Sequence, residues 1–435
     1  MQKGLGVLAL ATLTFTPSAE ATAQGTTSVF QAPGLREYVQ QVLLQNSGLQ
    51  AKVTDIAATT ARIGPAGALP DPTVTVGVIS VPWPSFDFDR EAMTQLPIIV
   101  RQRFPFPGKQ GAATEIARAD SGVASLTAVS AKQDLAATAA TAWYRLGFAR
   151  TILSVWDQRI VLAEQAIRTS QSRYQTGQAP QTDLLRARLR RAQLLEQRQG
   201  FAALLAGARA EANALRGGTS EPEDTLVGPL LTAFGDTLPF ALEADALPAD
   251  SLLIQRLAQA NPHLQVHAAN VRRHIAVSHA FSIAARPDFT VTLQNGFRFG
   301  GRESFATALL GVSIPLWAGR KQRPAAEAAE LDLAAARQRL DDARARLTGE
   351  LKAQTATIRG LQERLELLAH EIVPLAAAAN GSALAQYRVG EVEFTTVLDA
   401  ADDLYRAWLS QARLLADYGA ARARLAAALG EEWYQ

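Results

Sequence analysis

Apolar residues in this chain keep two rhythms, a long helical one and a short alternating one. Between Arg320 and Tyr387, residues Leu340, Leu347, Leu351, Ile358, Leu361, Leu365 and Leu368 recur at steps of 7, 4, 7, 3, 4 and 3. Those steps form an a/d seam, the pattern by which one helix packs along another. Gly108 to Tyr174 is proline-free and dense in Ala, Leu, Arg and Gln, so it reads as a second helix of the same kind. At 1.5 Å per residue each would run roughly 100 Å. Pro374 is expected to kink the later one. The short rhythm occupies Thr73–Val81, Gln95–Arg103, Phe289–Phe297 and Phe305–Ile314. These segments alternate polar and apolar residues and approach the 9–11 residues that a tilted membrane strand needs. Trp83, Phe86, Phe88, Phe104, Phe106, Phe299 and Trp317 sit near their ends, where an aromatic girdle would lie.

The same order of elements is written twice. Asn46-Ser47-Gly48-Leu49 aligns with Asn261-Pro262-His263-Leu264, and Pro70-Asp71 with Pro287-Asp288. Tyr174-x-x-Gly177 aligns with Tyr387-x-x-Gly390, with Leu185 and Ala187 matching Leu398 and Ala400. A period near 213 is too long for a solenoid and indicates a duplicated unit. The expected layout is a first repeat over 24–216, with strands at about 72–104 and long helices at about 108–174 and 181–215. A linker rich in Gly, Pro, Asp and Glu follows over 217–249. The second repeat covers 250–435, with strands at about 289–314 and helices at about 320–387 and 394–429. Four strands are too few to close a membrane barrel, so several chains would have to pool them.

Composition narrows the chemistry. The 43 basic and 41 acidic residues balance to +2, which gives no general pull toward nucleic acid. The run Arg186-Arg188-Arg190-Arg191 therefore reads as a solvated helix face, with no nucleic-acid partner. The chain has no cysteine, which excludes disulfides, thiolate zinc sites and a cysteine nucleophile. His263 and His267 stand at i, i+4, but no acidic residue completes a metal set at helical spacing. They read as a polar helix surface beside His274, and no metal site is expected. No nucleophile elbow, P-loop, dinucleotide loop or zinc-protease motif is present, so neither catalysis nor a cofactor is expected. Residues 1–23 read as a signal peptide: Lys3, an apolar run over Gly4–Phe15, and the small-x-small pattern Ala21-Thr22-Ala23. No later segment offers about 18 uninterrupted apolar residues, so no transmembrane helix is expected.

The sequence resembles the TolC-type outer-membrane efflux proteins over nearly all of the mature chain. The match rests on Asn46 and Asn261 opening their helices, "LPDP" before the first strand, "FPFPGK" at 104–109 and "IPLWAGR" at 314–320. It is most specific at the paired tips, "RYQTGQAPQTDLLRA" at 173–187 and "QYRVGEVEFTTVLDA" at 386–400. The "FPFPGK" form resembles the heavy-metal branch of CusC and CzcC type. Members of that branch often begin with a lipidated cysteine, which this chain lacks. The resemblance implies a mainly α protein with a small transmembrane β part. It implies a homotrimer whose twelve strands form one outer-membrane β-barrel, continued by a twelve-helix α-barrel through the periplasm. It implies outer-membrane lipid, a periplasmic adaptor protein and an inner-membrane pump of RND type as partners. The duct would be a passive exit for metal cations or drugs in a Gram-negative envelope.

The resemblance also implies roles for residues. Arg173, Gln175, Thr176, Gly177 and Gln178, with Arg388, Val389, Gly390 and Glu391, correspond to the tips that dock the adaptor. Thr182, Asp183 and Tyr387 correspond to the latch that closes the tunnel. Val392 replaces the family's arginine, so a Tyr387–Asp183 hydrogen bond should remain while the ion pair is lost. Asp399 matches one of two aspartate rings at the constriction, and Thr396 replaces the other. Asp402 and Asp403 follow at i+3 and i+4, so three carboxylates are expected on one face, with Arg406 as their nearest cation. A periplasmic coiled-coil scaffold or adaptor, with the hairpins as a soluble head, fits the helical rhythm equally well. Only the duct requires lipid-facing alternation in the strands.

Overall fold

The computed structural model describes residues 29–218, 227–231 and 247–435. The expected signal peptide 1–23 and most of the expected linker 217–249 lie outside the described residues. The first half runs α1 (Leu35–Gln45), α2 (Ser47–Ala61), α3 (Ile63–Gly67), β1 (Thr73–Val76), β2 (Gln95–Phe104), α4 (Lys109–Gln175) and α5 (Gln181–Leu215). The second runs α6 (Asp250–Ala260), α7 (Pro262–Ile283), β3 (Asp288–Arg298), β4 (Phe305–Ser313), α8 (Gln322–Leu367), α9 (Val373–Val389) and α10 (Phe394–Ala428). With 67 residues, α4 is roughly 100 Å long and unbroken. Its counterpart is interrupted by a π-helical turn, Leu368–Ile372, just before Pro374. Proline has no N–H and its ring crowds the carbonyl four residues back, so the wider turn absorbs it.

The helical seam holds as the spacing predicts. Leu347, Leu351, Ile358, Leu365 and Leu368 are buried, and Leu340 and Leu361 pack against the same core. One helical stretch, Gln322–Tyr387, holds an 18-residue window apolar enough to cross a membrane by length and composition, although it holds no 18 uninterrupted apolar residues. The alanine run of α9 supplies the apolarity, and His370 and Glu371 interrupt the same stretch. Only 17% of the window is buried, so its apolar surface faces outward.

The four strands form one antiparallel sheet in the order β1-β2-β3-β4. β1 stops at Val76, short of the expected Val81, and pairing resumes only as an isolated bridge from Ile79 to Gln95. Gly77 and the positive φ of Ser80 (61°) break the extended run. Register sorts the side chains into two faces, because successive residues of a strand point oppositely. Val74 and Val76 of β1 share a face with Ile98 and Val100 of β2, Val291 and Leu293 of β3, and Leu310 and Val312 of β4. The opposite face is mainly polar, with Thr75, Arg101, Arg103, Thr290, Thr292, Gln294 and Thr307, and is interrupted by Ile99 and Leu309. No described element covers the apolar face: Val74, Leu293 and Leu310 are 64%, 54% and 74% exposed. At the helix end of the sheet Asp288 is buried and accepts from Arg103 Nη2 at 2.7 Å, Lys109 Nζ at 2.8 Å and the Phe106 N–H at 3.0 Å. This one carboxylate ties β3 to the entry of α4. Of the expected aromatics, Trp83 packs against Phe86 and Phe88 against Phe299, each at 5.2 Å, at the loop end of the sheet, while Phe104, Phe106 and Trp317 stand at its helix end.

Two matched joints hold the middle of the molecule. Asn46 accepts from the Leu49 N–H at 3.0 Å, capping α2, and donates to the Leu215 carbonyl at the end of α5 at 3.0 Å. Asn261 accepts from the Leu264 N–H at 2.9 Å and donates to the Ala428 carbonyl at the end of α10 at 2.7 Å. Each asparagine satisfies an orphan donor at one helix start and an orphan acceptor at another helix end. Around them Tyr38, Tyr144, Trp408 and Tyr418 fill the core.

Candidate functional site

The two hairpin tips, α4–α5 and α9–α10, close by one device. The Gln178 N–H donates to the Arg173 carbonyl at 2.8 Å, and the Gly177 N–H to the Tyr174 carbonyl at 3.1 Å. The Glu391 N–H donates to Gln386 at 3.0 Å, and the Gly390 N–H to Tyr387 at 3.2 Å. Both are Schellman caps, whose turning residue must be left-handed. Gly177 has φ 73° and Gly390 φ 84°, values that a side chain strains to adopt. Gln175, Thr176, Gly177 and Gln178 on one tip, and Val389, Gly390 and Glu391 on the other, lie at solvent-facing positions. The backbone of Arg388 lies on the same turn.

Behind the tips, Ala187, Ala383, Tyr387, Phe394 and Val397 form a small buried cluster that joins the two hairpins. Tyr387 is 8% exposed, its ring lies 5.5 Å from Phe394, and the Arg173 guanidinium stands 4.8 Å above it. Its hydroxyl is buried and makes no hydrogen bond among the described residues. The expected bond from Tyr387 to Asp183 is thus absent within the chain. The ring is drawn instead into the apolar cluster and under Arg173. Thr182 is exposed, and Asp183 stands half-buried in the first turn of α5.

The three carboxylates of α10 do not share one fate. Asp399 and Thr396 are exposed. Asp403 pairs with Arg406 at 3.3 Å on the surface. Asp402 turns inward and is held by two arginines, Arg159 of α4 and Arg190 of α5. The expectation of three carboxylates on one face with Arg406 as their nearest cation is corrected on this point, because helix packing brings guanidinium groups from two other helices to Asp402. Arg159 is 8% exposed and lies between the rings of Trp156 and Tyr405, at 4.6 and 4.4 Å. Burial pulls its guanidinium down from the ordinary value, and Asp402 pulls it back up. Burial also pushes the Tyr405 hydroxyl up to about 12, so it stays neutral. The arginine run of α5 is likewise only partly a solvated face, since Arg190 binds Asp402 and Arg191 binds Glu164 at 2.9 Å. Arg159 carried no signal in the sequence: its partner lies 243 positions away and no local motif links them.

These groups line a cleft of about 690 Å³ between the two hairpins. Arg159, Arg173, Arg190 and Asp402 supply its polar wall, and Leu162, Leu384 and Phe394 its apolar one. The histidines stand elsewhere. His263 Nε2 lies 3.1 Å from Asp134, and its Nδ1 lies 3.0 Å from Ser130 Oγ. His279 stands 3.8 Å from Glu115.

A family model described as outer membrane efflux protein matches residues 38–217 and 253–431. No curated protein matches the chain by sequence. Among solved structures the chain is similar to the outer-membrane channel OprN, at 19% identity over 94% of this chain and 92% of that one, with a TM-score of 0.74. It is similar to CusC at 16% identity over 92% of both chains, with a TM-score of 0.75. A membrane protein from Pseudomonas aeruginosa matches at 18% identity over 96% of this chain and 99% of that one, with a TM-score of 0.74. At these identities the structures establish the shared fold.

Proposed function

The chain belongs to the outer membrane efflux protein family, channels of tripartite efflux systems in the Gram-negative outer membrane, and from that premise we propose how it assembles and conducts. Three copies pool their four-stranded sheets into one twelve-stranded barrel, and their long helices continue it as a twelve-helix tunnel. The observation that carries this reading is the sheet: among the described residues it has one uncovered apolar face, one mainly polar face, and unpaired outer edges on β1 and β4. Exposed strand edges invite further pairing, and closure removes them. A lipid-facing outside and a wet lumen account for the two faces. Exposed apolar residues on α5 (Leu185, 54%; Leu189, 60%) and α9 (Leu375, 69%) suit packing between copies. A soluble head on a periplasmic scaffold would leave the sheet's apolar face in water.

The aligned halves support an internal duplication with units near 24–216 and 250–435. Tips 173–178 and 388–391 would meet a periplasmic adaptor that links the duct to an inner-membrane pump of RND type. Thr182, Asp183 and Tyr387 would form the closing latch between copies, and Asp399 the ring at the constriction. The cargo would be metal cations or drugs. Light scattering of detergent-solubilised protein tests the assembly, with a mass of three chains expected. A stable monomer, or release from membranes without detergent, overturns it.

A further inference from the structure

We infer that the cleft between the two hairpins is a binding site for an amphipathic organic anion, one aromatic or aliphatic body bearing a single sulfonate or carboxylate. The cleft's volume, about 690 Å³, lies in the range of small-molecule sites. Three guanidinium groups line it against one carboxylate. Asp402 is consumed by Arg159 and Arg190 together, so that trio keeps a net positive charge. Arg173 has no carboxylate partner among the described residues, and its charge rests only on the face of Tyr387. Two positive charges in excess, beside a low-dielectric wall, favour an anion over a cation.

Tyr387 supplies an independent indication. It is 8% exposed, lines the cleft, and its buried hydroxyl has no partner within the chain among the described residues. A buried hydroxyl without a hydrogen bond is unfavourable, and an acceptor entering the cleft relieves it. A sulfonate placed between Arg173 and Tyr387 would accept from both, which leaves its body against Leu162 and Leu384. Such a ligand touches α4, α5, α9 and α10 at once and ties the two tips together.

The test uses the mature chain reconstituted in nanodiscs, titrated with 1-anilinonaphthalene-8-sulfonate and corrected against empty nanodiscs. The neutral amine N-phenyl-1-naphthylamine, which lacks the sulfonate, is the control. Saturable binding of one sulfonate per chain is expected. The Arg173→Gln variant should bind about tenfold more weakly, the loss of one charge-assisted bond. Leu384→Trp fills the cleft without altering its charge and should abolish binding. Leu384 is 40% exposed, so this variant can fold, and size-exclusion chromatography confirms an unchanged assembly. Absence of saturable binding, equal affinity for the neutral amine, or binding unaffected by both substitutions overturns the site. Because the assembly is measured separately, failure here leaves the channel reading standing.

Discussion

The second and third turns of α5 and α10 stand at equivalent places in the two halves, yet they carry opposite charge. Gly390 lies 213 positions after Gly177, and at the same offset Arg186 faces Asp399, Leu189 faces Asp402, and Arg190 faces Asp403. The turns that precede them are closed by the same pair of backbone bonds. Geometry has stayed equal while side chains diverged into a basic stretch early in α5 and an acidic stretch early in α10. The divergence is used within the chain, since Arg190 of the basic stretch grips Asp402 of the acidic one. A duplication that kept both helices alike would leave the two hairpins repelling each other or indifferent. What distinguishes the halves is therefore complementarity, concentrated at one carboxylate.

Erasing that distinction gives the largest expected effect. Asp402→Leu supplies α10 with the residue that α5 has at Leu189. Arg159, 8% exposed, would then stay buried with its counter-charge gone. Breaking a buried pair from one side costs about 3 kcal/mol or more. Urea unfolding of the solubilised protein, followed by the fluorescence of Trp156 and its neighbours, should shift to lower urea. Adding Arg159→Met should recover most of the loss, because the orphaned charge is removed. An Asp402→Leu variant as stable as the parent would show that the ion pair does not hold the hairpins.

The joints test the opposite side of the comparison, where the halves remain alike. Asn46 and Asn261 make the same two bonds, but Asn261 is 1% exposed whereas Asn46 is partly open to water. Asn261→Ala removes a cap and strands the buried Ala428 carbonyl, for about 2–4 kcal/mol in all. Asn46→Ala should cost about half as much, since water can take over its bonds. Thermal unfolding of the two variants side by side measures the difference. Equal shifts would mean that burial does not separate the two joints.

The joints, the strands and the tips were legible in the sequence because each is local. A glycine after a long helix, an asparagine three residues before its capped N–H, and an alternating run each carry their own signal. The seam of α8 was legible for the same reason. The shortened β1 was not, because Gly77 and the bend at Ser80 break a pattern whose alternation continues through them. Nor was the inward turn of Asp402. Its fate depends on Arg159 and Arg190, which are brought near only by packing between helices more than 200 residues apart. Within one chain the Tyr387–Asp183 bond does not form, for a related reason: the cluster around Phe394 and Arg173 claims the ring.

Asp399 sharpens the contrast at the level of conduction. It is exposed, its equivalent is Arg186, and three copies would place three carboxylates around the bore. Such a ring favours cations and binds multivalent blockers. Reconstituted channels in planar bilayers should select cations and be blocked by a trivalent cation from the periplasmic side. Asp399→Ala should lower the permeability ratio several-fold and weaken block. Unchanged selectivity would place the constriction elsewhere.

Pro374 marks the one backbone break that α4 lacks. Pro374→Ala restores an N–H and lets α8 and α9 run on as a single helix, as α4 does. Amide exchange over Leu368–Ile372 should slow by about tenfold, reflecting local rather than global stability. Exchange that is already slow in the parent would show that the π turn is rigid and that proline is merely tolerated there.

The smallest effect concerns pH and again separates the halves. His263 stands where the first half has Gly48, so only the second half carries a titrating group at its joint. A hydrogen bond to Asp134 raises its pKa above the ordinary 6.5, while partial burial and Arg346 act against that and Glu350 acts with it. Because the folded-state value is the higher one, the stabilisation is fully present below about pH 6.5 and fades as pH rises through the folded value. The imidazole is 45% exposed, so water screens the pair and its contribution stays below about 1 kcal/mol. Urea midpoints of the parent should therefore decline slightly from mildly acidic to mildly alkaline pH. His263→Gly, which copies the first half, should remove that part of the slope while leaving the assembly intact. A parent and variant with parallel profiles would show that the Asp134 contact is too solvated to couple protonation to folding.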